Sequence, residues 1–187
     1  MQTMITFQGG QIDLDTFNHE NMHQWWGDSV SEANYNLTFF KEGMATLGEY
    51  LFDARNAATS AGGLDTPAGQ AAFDASLVGQ FNTNYANSKL WTAAPSDPTP
   101  ATLFSGLFTY TRPGTACIAL RQILGKLEAG FHAWMPNKSA ACSARLDRFF
   151  RQWFDTAYPH GGSTNRPQLT GPGLDGPGFY NADGTCG

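Results

Sequence analysis

Four histidines occur in this 187-residue chain, and two of them flank a glutamate in the run His19-Glu20-Asn21-Met22-His23. Residues four apart on a helix lie just over one turn from each other. Both imidazoles therefore project from one face, with Cβ atoms about 6 Å apart, and can converge on a single metal ion. Glu20 projects beside them, within reach of a water on that ion rather than of the ion itself. Two nitrogen ligands and a neighbouring carboxylate form the donor set of a zinc hydrolase. Catalytic zinc usually takes three protein ligands and leaves a fourth position open for water. Glu42, separated from His23 by 18 residues, is the candidate that completes a His2Glu set.

The simpler reading of Glu42 is a solvated side chain, since it shares a polar helix face with Thr46, Glu49 and Asp53. Chance weighs against that reading. With 4 His and 5 Glu in the chain, a His-Glu-x-x-His run is expected about 0.002 times, and with a glutamate at that one spacing about 0.00006 times. Zinc, one ion per chain, is the expected cofactor, with His19, His23 and Glu42 as ligands and Glu20 as general base. Asp28 or Glu49 is expected to orient a ligand imidazole through its second nitrogen, and spacing does not choose between them. His132 and His160 read as surface or loop residues.

The elements that must position these groups are mainly helical. A short β-leaning run, Met4 to Phe7, precedes a helix opening at Asp13 or Asp15 and closing at Gly27. Asp28 to Asn36 is a short connection that returns the chain antiparallel into a long helix from about Leu37 to Ala58. Its apolar stripe is Leu37, Phe40, Met44, Leu47 and Leu51. Trp25 and Trp26 are expected to pack the first helix into the core. Thr66-Pro67 caps a third helix running to about Tyr85. After a loop over Ser96 to Pro100, helices are expected from Pro113 to Leu124, closed by Gly125, and from Ser139 to Thr156. The last of these has Leu146, Phe149, Phe150 and Trp153 on its buried face. Residues 159–187 hold 4 prolines and 8 glycines, a composition that forbids long helices. The chain thus divides into a domain over 1–158 and an extended tail over 159–187 packed on it.

Composition narrows the function. A chain of this length buries roughly 70% of its unfolded surface and needs no staple to fold, so a metal would serve chemistry. Eleven basic against sixteen acidic residues give a net charge of −5 and no basic face for nucleic acid. No apolar run reaches the ~18 residues of a membrane span. Met1 to Gly10 has neither the basic nor the apolar region of a signal peptide. Cys117, in an apolar stretch, reads as a small buried hydrophobe. Cys142 and Cys186 pair only if the fold brings their Cα atoms within about 7 Å.

The run His-Glu-x-x-His-x-Trp-Trp-Gly-Asp at 19–28, followed by Lys-Glu-Gly-Met-Ala-Thr at 41–46, resembles the zinc gluzincins of the aminopeptidase N and leukotriene A4 hydrolase type. Tyr110, followed by Arg112 and Gly114, is similar to that family's Tyr-x-Lys/Arg-Gly segment, with Pro113 as a departure. The resemblance implies that Tyr110 stabilises the oxyanion of peptide hydrolysis. It runs from Met1 to about Phe131 and resumes weakly through Leu146 to Tyr158, where the run at 146–155 looks like the closing helix of secreted bacterial members. It implies a zincin (thermolysin-like) helical lobe and an aminopeptidase-like metallopeptidase acting on a peptide substrate. Two departures stand out: Lys41 occupies a position where relatives often have asparagine, and no Gly-x-Met-Glu-Asn segment or catalytic sheet precedes His19. The latter motivates the alternative, a truncated zinc-binding helical module with weak or no catalysis.

Overall fold

The computed structural model describes residues 5, 7, 12–123 and 147–158. Helix α1, Leu14–His23, begins where the Asp13 carboxylate accepts the Thr16 N–H at 2.7 Å. That bond satisfies a free helix donor and holds the Asp13 carboxyl below its usual range. The helix stops at His23, four residues short of the expected Gly27. Gly27 instead lies within the reversal that follows, at φ +126°, a conformation only glycine adopts without strain. Its N–H bonds the Val30 carbonyl at 2.9 Å, and the Asp28 N–H bonds the carbonyl of His23 at 3.1 Å.

Trp25 and Trp26 do not enter the core. Trp25 is 60% exposed, and Trp26 packs edge-on against Phe40, which is itself 41% exposed. The early helix stop directs this part of the chain outward. Residues 5 and 7 belong to no strand, and the remainder of the expected Met4 to Phe7 strand lies outside the described residues.

Helix α2, Thr38–Ser60, is the spine on which α1, α3 (Pro67–Ala86) and α4 (Arg112–Ile123) all pack. It runs antiparallel to α1, because His23 meets Glu42, His19 meets Glu49, and Asp15 is felt by Asp53. Two glycines allow the close approach. A Cβ on Gly43 would overlap Pro113 of α4, and one on Gly48 would overlap the Met22 side chain of α1. Helix α3 begins as expected, with the Thr66 hydroxyl accepting the Gly69 N–H at 3.0 Å and Pro67 at its first position.

The stripe expected on α2 is buried at Leu47 but exposed at Leu37 and Phe40, at the solvent end of the helix. The core instead joins Phe39, Leu47 and Ala54 to Leu77 and Phe81 of α3, to Ala116–Ala119 of α4, and to the aromatic group Trp91, Phe149, Trp153 and Phe154. Cys117 is buried and unpaired, as expected. Residues 147–150 are helical, and the chain then widens into a π-helical turn, Arg151–Asp155. The wider turn brings Phe154 onto the side of Phe149 and leaves Phe150 partly exposed, which corrects the expected buried face. Leu146, Gly125, Cys142, Cys186, His132, His160 and the tail over 159–187 lie outside the described residues.

A buried polar network links three helices. The Asn84 amide donates to the Tyr50 hydroxyl at 3.2 Å and to the Thr115 hydroxyl at 2.9 Å. Thr115 in turn donates to the Thr111 carbonyl at 2.7 Å. Among the described residues there is no strand, only an isolated bridge between Trp26 and Val30. No helix among them is long and apolar enough to cross a membrane.

Gly43→Ala should destabilise the protein by about 1–3 kcal/mol through overpacking. Gly79→Ala, at an exposed helical site where a Cβ meets nothing within 4 Å, should instead stabilise it by about 0.5–1 kcal/mol. Denaturant midpoints of the two variants check both signs.

Candidate metal centre

Helix α1 places His19 and His23 one turn apart on the face that meets α2, and the antiparallel return places Glu42 opposite them. The three ligand atoms form a nearly equilateral triangle. His19 Nε2 lies 3.2 Å from Glu42 Oε2, His23 Nε2 lies 3.1 Å from the same oxygen, and the two Nε2 atoms are 3.2 Å apart. The polar face of α2 is therefore not solvated here: Glu42 is 6% exposed and Thr46 is buried beside it.

The far side of each ring settles its tautomer. His23 Nδ1 is 2.9 Å from the Trp26 carbonyl, which can only accept, so Nδ1 carries the hydrogen. His19 Nδ1 lies 2.5 Å from Glu49 Oε1 and donates to that carboxylate. Glu49, not Asp28, is thus the carboxylate that orients a ligand ring; the Asp28 carboxylate accepts from the Gln24 amide at 3.3 Å. With both Nδ1 atoms protonated, each Nε2 presents a lone pair, and the two lone pairs and one carboxylate oxygen converge on one point.

Three acceptors so close together repel unless a cation lies between them. Ligands 2.0–2.1 Å from a tetrahedral zinc are separated by about 3.3–3.4 Å, so the edges of this triangle match a zinc coordination face closely. These three residues are also the group among the described residues whose ligand atoms lie close enough together to hold a metal ion. Protons take the same place when no cation does. Burial disfavours a charged His19, yet hydrogen bonds to Glu42 and Glu49 outweigh it and raise the imidazole to about 9. Burial would raise Glu42, but hydrogen bonds from His19 and His23 hold its carboxyl down at about 2.

Tyr110 lies in a π-helical turn, Gly106–Thr111, that leads directly into α4. Its ring centroid is 5.7 Å from that of His19, tilted at 34°. Burial, with the nearby charges of Glu42 and Glu20, pushes its hydroxyl up to about 12, so it stays a proton donor throughout the neutral range. Glu20 is half-buried, and its carboxylate has no hydrogen-bond or ion-pair partner among the described residues. Lys41 pairs with Glu32 at 2.8 Å.

Sequence reasoning missed two contributors. The Trp26 carbonyl is a backbone group and leaves no trace in residue types. Glu32 carries no motif, and its role becomes visible only when the reversal sets it beside Lys41. No protein-family model matches the chain, and no curated protein or solved structure matches it.

If the triad holds a divalent metal ion, Glu49→Gln should weaken that affinity by about 10- to 100-fold, since the neutral amide orients His19 less firmly and lowers its basicity. Chelator competition measures this. Metal-stripped protein should show a two-sided pH dependence. The raised His19 contributes stability that is complete below its ordinary 6.5 and is lost as pH rises through about 9. The depressed Glu42 contributes stability that is complete above its ordinary 4.5 and is lost as pH falls toward about 2. A divalent metal ion held by the three groups in place of their protons would abolish the alkaline limb; unfolding curves against pH with and without added metal test this.

Proposed function

We propose that this chain is a zinc-dependent metallopeptidase of the gluzincin type, with aminopeptidase-like ancestry, acting on short peptides. One observation carries the reading: three lone-pair donors from His19, His23 and Glu42 meet at one point, with both histidine tautomers fixed from behind. The two ligand histidines and Glu20 belong to one His-Glu-x-x-His run, which supports zinc over other divalent ions and hydrolysis over a structural role.

Zinc held by these residues supplies Lewis-acid chemistry, polarising a peptide carbonyl and bringing the pKa of water down to about 7. The chain's own residues do the rest. Glu20, whose carboxylate is unengaged among the described residues, takes the proton from the attacking water and returns it to the leaving amine nitrogen. Tyr110, a donor at all neutral pH values with its ring beside that of His19, gives a hydrogen bond to the oxygen that becomes negative as the carbonyl is attacked. One such preorganised bond is worth about 3 kcal/mol in the transition state. Glu49 and the Trp26 carbonyl keep the imidazoles in the tautomer that binds metal.

A second reading is a zinc-binding helical lobe with little or no turnover. It is favoured by the absence of a strand among the described residues, since a sheet edge normally aligns the substrate chain and positioning supplies much of the rate enhancement. Tight binding of a peptide hydroxamate without hydrolysis of peptide amides is the outcome that selects it.

Purified protein should contain about one zinc per chain, and chelation should abolish hydrolysis of unblocked peptides. Glu20→Gln should keep the metal and lower kcat by about 10²- to 10⁴-fold. If that variant cleaves as fast as the parent, Glu20 is not the base.

A further inference from the structure

Among the described residues, Arg112 is a fully buried cation to which the catalytic reading assigns no task. It is 0% exposed and has no carboxylate partner among the described residues. Its guanidinium donates instead to three backbone carbonyls: Nη1 to Ala93 at 2.6 Å, and Nη2 to Gln152 at 3.1 Å and to Thr156 at 2.7 Å. Gln152 lies within the π-helical turn Arg151–Asp155 and Thr156 caps it, and a cation is favourable at such a C-terminal end. The group also lies over the rings of Trp91 and Tyr158, 4.9 Å and 5.7 Å from their centroids. The two loop segments it joins bond to each other as well, Tyr158 N–H to the Trp91 carbonyl at 2.6 Å and Ser96 N–H to that of Phe154 at 3.0 Å.

Arg112 is the first residue of α4 and stands two positions after Tyr110. Residues two apart on a helical turn project to nearly opposite sides. A guanidinium locked into the core behind the turn therefore restricts the direction in which the Tyr110 ring can point. The next residue, Pro113, is wedged against Gly43, one position from the ligand Glu42. The junction between the π-helical turn and α4 is thus held from both sides.

We propose that Arg112 is a positioning residue for Tyr110: anchored by the carbonyls of Ala93, Gln152 and Thr156, it sets the rotation of the turn Gly106–Thr111 and keeps the tyrosine against His19. Its catalytic consequence rests on the peptidase reading above; its structural consequence does not. A lysine in its place delivers one compact ammonium, which cannot span three carbonyls as the planar fork does.

The test uses the full-length zinc-loaded protein and Arg112→Lys. Nuclear Overhauser contacts between the Tyr110 and His19 rings should be present in the parent and lost in the variant, with zinc content and helical circular dichroism unchanged. kcat should fall about 10- to 100-fold at constant KM, and should fall no further when Arg112→Lys is added to Tyr110→Phe. Persistence of the ring contacts in the variant, or a full additional loss in the Tyr110→Phe background, overturns the proposal. If the parent hydrolyses no peptide, the peptidase reading fails, and the ring contacts alone decide the positioning role. Should Arg112→Lys not fold, Tyr158→Leu, which removes one aromatic face from the guanidinium at a half-buried position, is read by the same measurements and should shift both in the same direction.

Discussion

Two imidazole lone pairs and a carboxylate oxygen held within 3.2 Å of one another repel unless positive charge lies among them. The remaining features of the site are arranged around that constraint. Neither ring can relieve the repulsion by turning its N–H inward, because each Nδ1 hydrogen is already committed, one to the Glu49 carboxylate and one to the Trp26 carbonyl. Positive charge at that point, from added protons or from a metal ion the three groups could hold, relieves the repulsion. Burial makes the relief larger, since unlike charges attract more strongly where water is scarce.

Such a cluster persists only on a rigid frame. The distance between α1 and α2 is set by Gly48, which accommodates Met22, and the distance between α2 and α4 by Gly43, which accommodates Pro113. Replacing either hydrogen with a methyl group would push α2 away from α1, which carries His19 and His23, or from α4, which follows the Tyr110 turn. The Asn84, Tyr50 and Thr115 network closes the same three-helix junction from the α3 side. Buried polar networks of this kind, when every member is satisfied, specify one arrangement more strictly than apolar packing alone.

Behind this frame lies an aromatic core, with Trp91, Phe81 and Phe149 each in ring contact with Trp153. It is continuous with Arg112 through the Trp91 ring. The segment 91–96, the closing turn 151–158 and the start of α4 meet at that guanidinium. Two π-helical turns occur in the described chain, one carrying Tyr110 and one carrying Trp153 and Phe154. In each, the widened turn carries an aromatic ring onto a neighbour, Tyr110 against His19 and Phe154 against Phe149.

The amino-acid sequence by itself determined what depends on local periodicity and residue chemistry. The i, i+4 histidines and their intervening glutamate are legible because a helix maps that spacing onto one face. The caps at Asp13 and Thr66 are legible because a free helix N–H needs an oxygen acceptor within three residues. The helical class, the extent of α2 and the burial of Cys117 follow from the same kind of signal. Only the tertiary structure decided the rest. The choice of Glu49 over Asp28 depends on which carboxylate the antiparallel packing brings to the outer nitrogen of His19. The end of α1 at His23, the outward course of Trp25 and Trp26 and the exchange of Phe150 for Phe154 depend on a reversal and a wide turn that shift the register by a residue or more. The physical reason is range: a helix face is written in neighbours a few residues apart, whereas a lone pair finds its partner across thirty residues of chain that only packing brings together.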